Sequence, residues 1–336
     1  MAMKIPFLPL LLPLASVLAA DDAPVLVRME NFLVSPSTGP VAGVVVKNPL
    51  KTEYQGTLRV DFPEGWKVTP AQHQVNLKPG ESKRLAFAIE AGQDKEANAY
   101  PVIISVEGAA GKVKVAQTAL CASSPYFKPK IDGDLSDWLD SIPIRFSTAG
   151  KATVVRTYWN KKQFCVAVEV EEEALVSLEK GTAKTGPDAL LLAIGPTEAD
   201  AGKPCRYEAL IVSSEATPGA GKCFLRERSA QPKALAEEEC AEAKVAISRT
   251  GKITSYEIAI PLARLSEFKP DAGREFRFGL LVQDADGTGL RDLGEVMSLW
   301  PERRSAKAWG TWEPIKFGEK PPCDGAFEFG FCSSIH

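Results

Sequence analysis

Histidine is nearly absent from this chain. Among 336 residues there are 2, His73 and His336. That excludes a His-rich zinc centre and leaves little material for a Ser-His-Asp or Cys-His catalytic group. His73 has no His or Cys close to it in sequence, and reads as a surface residue. An excess of basic charge is also missing. Lys+Arg number 40 against 43 Asp+Glu, a formal charge of −3, so there is no electrostatic case for nucleic acid as a partner. G-x-S-x-G, H-E-x-x-H, P-loop and dinucleotide fingerprints are all lacking. Acidic residues are plentiful, but no spacing singles out a glycosidase pair. The expectation is a protein that is not an enzyme. Beyond the N-terminus no apolar run is long enough for a membrane helix, so no transmembrane segment is expected.

Cysteine is missing from the first 120 residues, and none of the 7 present forms C-x-x-C. The opening MAMKIPFLPLLLPLASVLAADD has Lys4, an apolar run from Ile5 to Val17, small residues at Ala19 and Ala20, and a polar start at Asp21-Asp22. This is the pattern of a signal peptide over residues 1–20. The chain is expected to be exported, to a periplasmic, cell-surface or extracellular place. In that setting the cysteines are disulfide candidates before they are metal ligands. Cys323 and Cys332 flank a short loop and form the favoured pair. Two of Cys205, Cys223 and Cys240 are expected to pair, and Cys165 reads as a buried free thiol.

Glycine (26) and proline (25) are frequent, as in proteins of many short strands and turns. From residue 24 to 120 apolar residues alternate, as at Leu58, Val60 and Phe62, or Val102, Ile104 and Val106. Turn signals such as Lys78-Pro79-Gly80-Glu81 divide the runs. About seven strands without a helical stripe predict an antiparallel β-sandwich over residues 21–121. Residues 122–125 read as a linker. Alternation then resumes in longer strands, such as Phe164, Val166, Val168 and Val170, and a larger sandwich is expected over 126–318. Residues 319–336 form a Cys-containing tail. Lys233 to Lys244 is rich in helix formers and reads as a helical decoration of a loop. The fold class is thus all-β, two consecutive antiparallel β-sandwiches.

The segments PEGW (Pro63 to Trp66) and LKPGES (Leu77 to Ser82) make the first unit resemble the Ig-like domain associated with α-galactosidases, with Trp66 as a core or rim plug. Five motifs of the second unit, in order, resemble family 9 carbohydrate-binding modules and the wider DOMON-like class. They are KIDGDLSDW (Lys130 to Trp138), YWNKKQFCVAVEV (Tyr158 to Val170), GPDALLLAI (Gly186 to Ile194), SYEIAIPLARL (Ser255 to Leu265) and FGLLVQDADGTGLR (Phe278 to Arg291). Trp138 and Trp159 fall inside these motifs and read as core.

The resemblance implies a sugar ring clamped between two tryptophans and read by carboxylates, an arginine and amides. Most of that set is missing. Lys184 and Thr185 stand where one tryptophan is implied, Leu191 falls at the carboxylate, and Leu281 falls at the amide. The implied arginine lies near Tyr207-Glu208. Trp300, Arg303, Arg304 and Trp309 of the last loop remain, and of these Trp300, Arg303 and Trp309 are the candidate ligand-binding residues. Haem-holding relatives of the same class would have only Met297 or lysines as axial ligands here.

Asp284, Asp286 and Asp292 surround a glycine turn and are the candidate metal ligands, for a structural Ca2+. The alternative is an Asp-Gly turn held by its own hydrogen bonds. The acidic run Glu169, Glu171, Glu172 and Glu173 reads as a solvated strand end. Taken together, the expected function is non-catalytic recognition of a polysaccharide or surface glycan through the second sandwich. The alternative is a structural or protein-interaction module of the cell envelope, with an envelope protein as partner.

Overall fold

The computed structural model describes residues 23–181, 186–197, 204–216, 218–229, 238–297 and 331–333. The candidate export signal lies outside them, as do Trp300, Arg303, Arg304, Trp309 and Cys323. Among the described residues no helix is long and apolar enough to cross a membrane.

Eight strands build the first sandwich: β1 (Leu26–Met29), β2 (Val41–Lys47), β3 (Tyr54–Asp61), β4 (Lys67–Thr69), β5 (His73–Leu77), β6 (Ser82–Ala91), β7 (Tyr100–Gly108) and β8 (Gly111–Ala119). They form two four-stranded sheets, β1-β2-β6-β4 and β5-β3-β7-β8. Alternation decides what faces inward: Val102, Ile104 and Val106 of β7 are buried between partly exposed neighbours, and meet Leu58, Phe87 and Ile89 in one core. Trp66 is a plug at the rim, stacked on Phe62 and tilted against Phe32 and Tyr100. His73 is half-buried rather than free at the surface; its ring meets Phe87 edge-on and bonds the Ala86 carbonyl at 2.8 Å. Gly56 and Gly108 lie opposite each other under the Tyr54 ring. A Cβ at Gly108 would come within 2.3 Å of the Gln55 carbonyl oxygen, so the close approach requires glycine there.

The second sandwich has one sheet of β10 (Ile144–Thr148), β11 (Lys151–Trp159), β12 (Gln163–Glu171), β18 (Ile253–Pro261) and β17 (Lys244–Thr250), in that spatial order. The facing sheet contains β16 (Glu238–Glu239), β15 (Gly221–Ser229), β14 (Pro204–Ser213), β13 (Ala189–Pro196), β19 (Glu275–Asp284), β21 (Phe331–Ser333) and β9 (Ser123–Ser124), with β20 (Gly289–Asp292) also on β19. A four-residue helix, α1 (Leu293–Val296), follows β20. Pairing between named strands is antiparallel except for β9 on β21. Phe164, Val166, Val168 and Val170 point into the layer between the sheets, against Phe276, Phe278, Leu280 and Val282. The helix expected at Lys233 to Lys244 is not formed in its described part. Glu238 and Glu239 pair with Leu225 and Phe224, and Lys244 opens β17; edge pairing overrides helical propensity.

Residues 122–125 connect the sandwiches but are no loose tether. Ala122, Ser123 and Ser124 are buried, and Ser123–Ser124 is a strand of the large sheet. Their side chains are small enough to pass between packed layers. Asn98 holds this crossing: its amide oxygen accepts from Cys121 N at 2.8 Å, and its Nδ2 donates to the carbonyls of Cys121 (2.9 Å) and Pro143 (3.0 Å).

One lock explains why the second unit begins as it does. Glu257 of β18 is fully buried, and its carboxylate accepts from Trp138 Nε1 at 2.7 Å and from the backbone N–H groups of Gly133 (2.5 Å) and Asp132 (3.2 Å). The Trp138 ring stacks on Tyr158. Burial pushes the Glu257 carboxyl up, and the three donors pull it only part of the way back. Trp138 and Trp159 are both buried, as expected of core residues.

Cys165, Cys223 and Cys240 are free and buried. Any pair among Cys205, Cys223 and Cys240 needs Cys223 or Cys240, so the bridge expected there is not made. Those two sit beside each other, with Cys240 N donating to the Cys223 carbonyl at 2.8 Å.

Candidate functional site

β13 and β14 are buried on both faces, and the face turned away from the other sheet carries their charged residues. Alternation puts Arg206, Glu208, Leu210 and Val212 of β14 on that outer face. Register brings Arg226 of β15 opposite Glu208, and Ala193 of β13 opposite Glu208 on its other side, with Gly279 of β19 next in the row. The Glu208 carboxylate has Arg206 Nε in an ion pair 3.0 Å from one oxygen, and accepts a hydrogen bond from Arg226 Nε on the other at 2.9 Å. All three side chains are at most 5% exposed. The other side of the row is small, Ala193 and Gly279. The neighbouring row is apolar: Phe224, Leu210, Leu191 and Leu281.

Leu191 and Leu281 thus stand on the same face as the charged row. Arg206 and Arg226 flank Glu208 in this row. Sequence reading did not single out these three residues. The available signal was charge at alternate positions of otherwise apolar strands, R-x-E in CRYEALIV and a further Arg in CFLRER.

The three aspartates proposed as metal ligands do not converge on one point. Asp284 is buried; its Oδ2 accepts from Thr288 N and Oγ1, both at 2.9 Å, and from Arg291 Nη2 at 2.7 Å. Asp286 is exposed at the tip of the turn. Asp292 caps α1, accepting from Gly294 N at 2.8 Å. Local turn and cap bonds therefore take up two of the three. Arg291 is fully buried and also donates to the carbonyls of Ala152 and Glu171 and to Thr153 Oγ1, which ties the two sheets together. Met297 is packed in the core, where its sulfur accepts from Asn31 Nδ2 at 3.6 Å.

The carboxylates that do converge are Glu172, Asp188 and Asp284. One oxygen of each lies within 4.8 Å of the others, and all three residues are buried. Glu172 follows β12, Asp188 precedes β13 and Asp284 ends β19, so the cluster closes one end of the sandwich from both sheets. Asp188 accepts from Val176 N and Ala285 N, each at 2.6 Å. Glu172 accepts from Arg249 Nη1 at 3.3 Å. Burial, with the neighbouring carboxylates Asp188 and Asp284 adding to it, pushes the Glu172 carboxyl up to about 8. Burial pushes Asp188 up to about 6, against the pull of its two N–H donors. Burial also acts upward on Asp284, but Thr288 and Arg291 outweigh it and hold this carboxyl below its usual range. The reading of Glu172 as solvated is corrected by this geometry: Arg249, Thr254 and the paired strands enclose it.

Residues 44–108 match the family described as NPCBM-associated, NEW3 domain of alpha-galactosidase. No similar protein was found among the curated proteins. Among solved structures, the chain is similar to a carbohydrate binding module family 9 from Caldicellulosiruptor kristjanssonii. In complex with cellotriose it shows 15% identity over 51% of this chain and 80% of that one, with a TM-score of 0.34. In complex with glucose the values are 16%, 49%, 78% and 0.32. A candidate carbohydrate-binding protein from Bacteroides uniformis is 12% identical over 62% of this chain and 96% of that one, with a TM-score of 0.39.

Proposed function

We propose that this is an exported, non-catalytic protein that recognises carbohydrate through the second sandwich, residues 126–318, with the first serving as spacer or docking domain. The observation that carries the reading is the row Arg206–Glu208–Arg226 on the outer face of the large sheet. A sugar presents adjacent hydroxyl groups that both donate and accept. The carboxylate and both guanidinium groups are buried and engage one another, so the row is proposed to stiffen the sheet behind the sugar, charge-assisted contacts of this kind being stronger than neutral ones. Trp300, Arg303 and Trp309 follow α1 directly in sequence and are proposed to add the flat aromatic surface and a further cation. The match of the first sandwich to a domain described from α-galactosidase supports the same setting.

Retention of the full-length mature chain on insoluble polysaccharides and on a glycan array tests this. Binding to at least one glycan is expected. Trp300→Ala with Trp309→Ala should abolish it, and Glu208→Gln, which loosens the charged row, should weaken it by about tenfold. No retention on any glycan, with an envelope protein co-purifying, would overturn the reading in favour of a protein-interaction module.

A further inference from the structure

We propose that the two sandwiches form one rigid, cooperatively folding body built around a stretch of chain they share, so that the first holds the second at a single fixed orientation. The proposal does not depend on glycan recognition. It concerns how the candidate binding unit is mounted, whatever that unit binds.

Its ground is the alternation of buried side chains across the crossing. Ala119 and Cys121 belong to the core of the first sandwich, and Leu120 and Ala122 to the core of the second. An extended chain turns successive side chains to opposite faces, so one stretch of backbone serves both cores at once. From Ala119 to Ser124 no residue is more than 5% exposed. Boundaries between separately moving domains fall in exposed, flexible chain, whereas these six consecutive residues have no side open to water.

The backbone of the crossing is held along its length. β8 pairs with β7 as far as Ala119, opposite Tyr100, and β9 joins the large sheet at Ser123, opposite Cys332. Between them Phe32 of the first sandwich acts as a neighbouring strand. Its N–H donates to the Leu120 carbonyl at 2.8 Å, and its carbonyl accepts from Ala122 N at 2.7 Å. The Phe32 ring lies in the first core.

Contacts away from the crossing supply an independent observation. Ile142, just before β10, packs against the core of the first sandwich, and Asn98 of the first sandwich donates to the Pro143 carbonyl at 3.0 Å. Asn31 accepts from Leu120 N at 3.0 Å and donates to the sulfur of Met297, just after α1, at 3.6 Å. The first sandwich thus grips the second at two places distant in sequence, and rotation about the crossing would break one grip or the other. Domains of one chain move against each other by default unless their interface is large and apolar; here the interface is continuous with both cores.

The test uses the full mature chain. Relaxation of 15N nuclei gives the rotational correlation time of each sandwich, and calorimetry gives the number of thermal transitions. Expected are one correlation time, that of a body of the whole mass, and a single transition whose calorimetric and van't Hoff enthalpies agree. Insertion of one alanine between Ala119 and Leu120 shifts the alternation by one residue, so that Leu120 and Cys121 can no longer both face their own cores. That variant should melt in two steps, the lower one several degrees below the natural midpoint, and should relax as two bodies. A separate correlation time for each sandwich of the natural chain, or two natural transitions, would overturn the proposal. So would an insertion that leaves the transition single and unshifted. If the insertion variant fails to fold, the two measurements on the natural chain decide alone.

Discussion

Replacing Glu257 by Ala should destabilise the second sandwich more than any loss of packing alone would explain. The carboxylate serves three donors, Trp138 Nε1 and the N–H groups of Gly133 and Asp132. The indole N–H is buried, and a buried donor left alone costs about 1–3 kcal/mol. The two backbone donors are only partly buried, so water can replace part of what they lose. With the space left by the side chain, Glu257→Ala should cost about 3–5 kcal/mol. That is a large part of the ~5–15 kcal/mol by which a domain is stable. Glu257→Gln keeps an acceptor for one side of the lock and should cost about 1–2 kcal/mol. Urea unfolding followed by tryptophan fluorescence measures both. A double-mutant cycle with Trp138→Phe, which keeps the stacking on Tyr158, isolates the indole bond.

The pH dependence of that lock has a definite sign. The Glu257 carboxyl lies above its usual value because burial outweighs its donors. The folded chain therefore holds the proton more tightly than the unfolded one does. The linked stability is complete below the ordinary glutamate value and is lost as pH rises through the folded one. The neutral variant Glu257→Gln has no such loss, so its deficit against the natural protein should shrink with rising pH. A cost for Glu257→Ala within about 0.5 kcal/mol of zero, or strict additivity with Trp138→Phe, would refute this account.

Two further outcomes follow from buried groups elsewhere. Burial pushes the Cys165 and Cys223 thiols up to about 12, so neither should react with iodoacetamide at pH 8 in the folded state, and both should react in urea. Rapid native labelling at either site would show that the strands around it open. Asn98→Ala removes three bonds at the crossing between sandwiches, at a residue whose φ of 48° favours Asn over Ala. It should cost about 2–3 kcal/mol and separate the thermal unfolding of the two units into two steps by calorimetry. A single unshifted transition would contradict that role.

What could be read from the sequence depended on how far apart the interacting residues lie. β7, β12 and β18 were legible because a half-buried strand writes its environment into every second residue, whatever its partner is. Glu172 was not legible: Glu169, Glu171 and Glu173 surround it in sequence, whereas Arg249, which engages it, is 77 residues away. Asp284 was grouped with Asp286 and Asp292 because they are close along the chain. In space β19 carries it instead to Asp188 and Glu172, at the end of the sandwich. Local bonds then claim Asp292 for a helix cap and expose Asp286. The Arg206–Glu208–Arg226 row was partly visible, since charge in a strand otherwise made of Leu, Ile and Val has to be compensated. Its partner on β15 depends on the register of the β14–β15 hairpin, which composition does not set.

The same distinction explains why five short motifs identify a fold that none of them specifies alone. KIDGDLSDW and SYEIAIPLARL are more than 100 residues apart, yet Glu257 of the second is the acceptor for Trp138, Gly133 and Asp132 of the first. QDADGTGLR supplies Arg291, whose donors reach Ala152 and Thr153 of β11 and the carbonyl of Glu171 at the end of β12. GPDALLLAI opens on Asp188, which accepts from Ala285 next to Asp284. Each of these motifs holds one half of a buried polar contact between distant segments, and the Arg291 contact joins the two sheets. Such a half is expensive unless its counterpart is present. The polar residues in these motifs thus report contacts between distant segments, and the outer side of the same strands is free to differ: there Leu191 and Leu281 stand beside a charged row without disturbing any of those contacts.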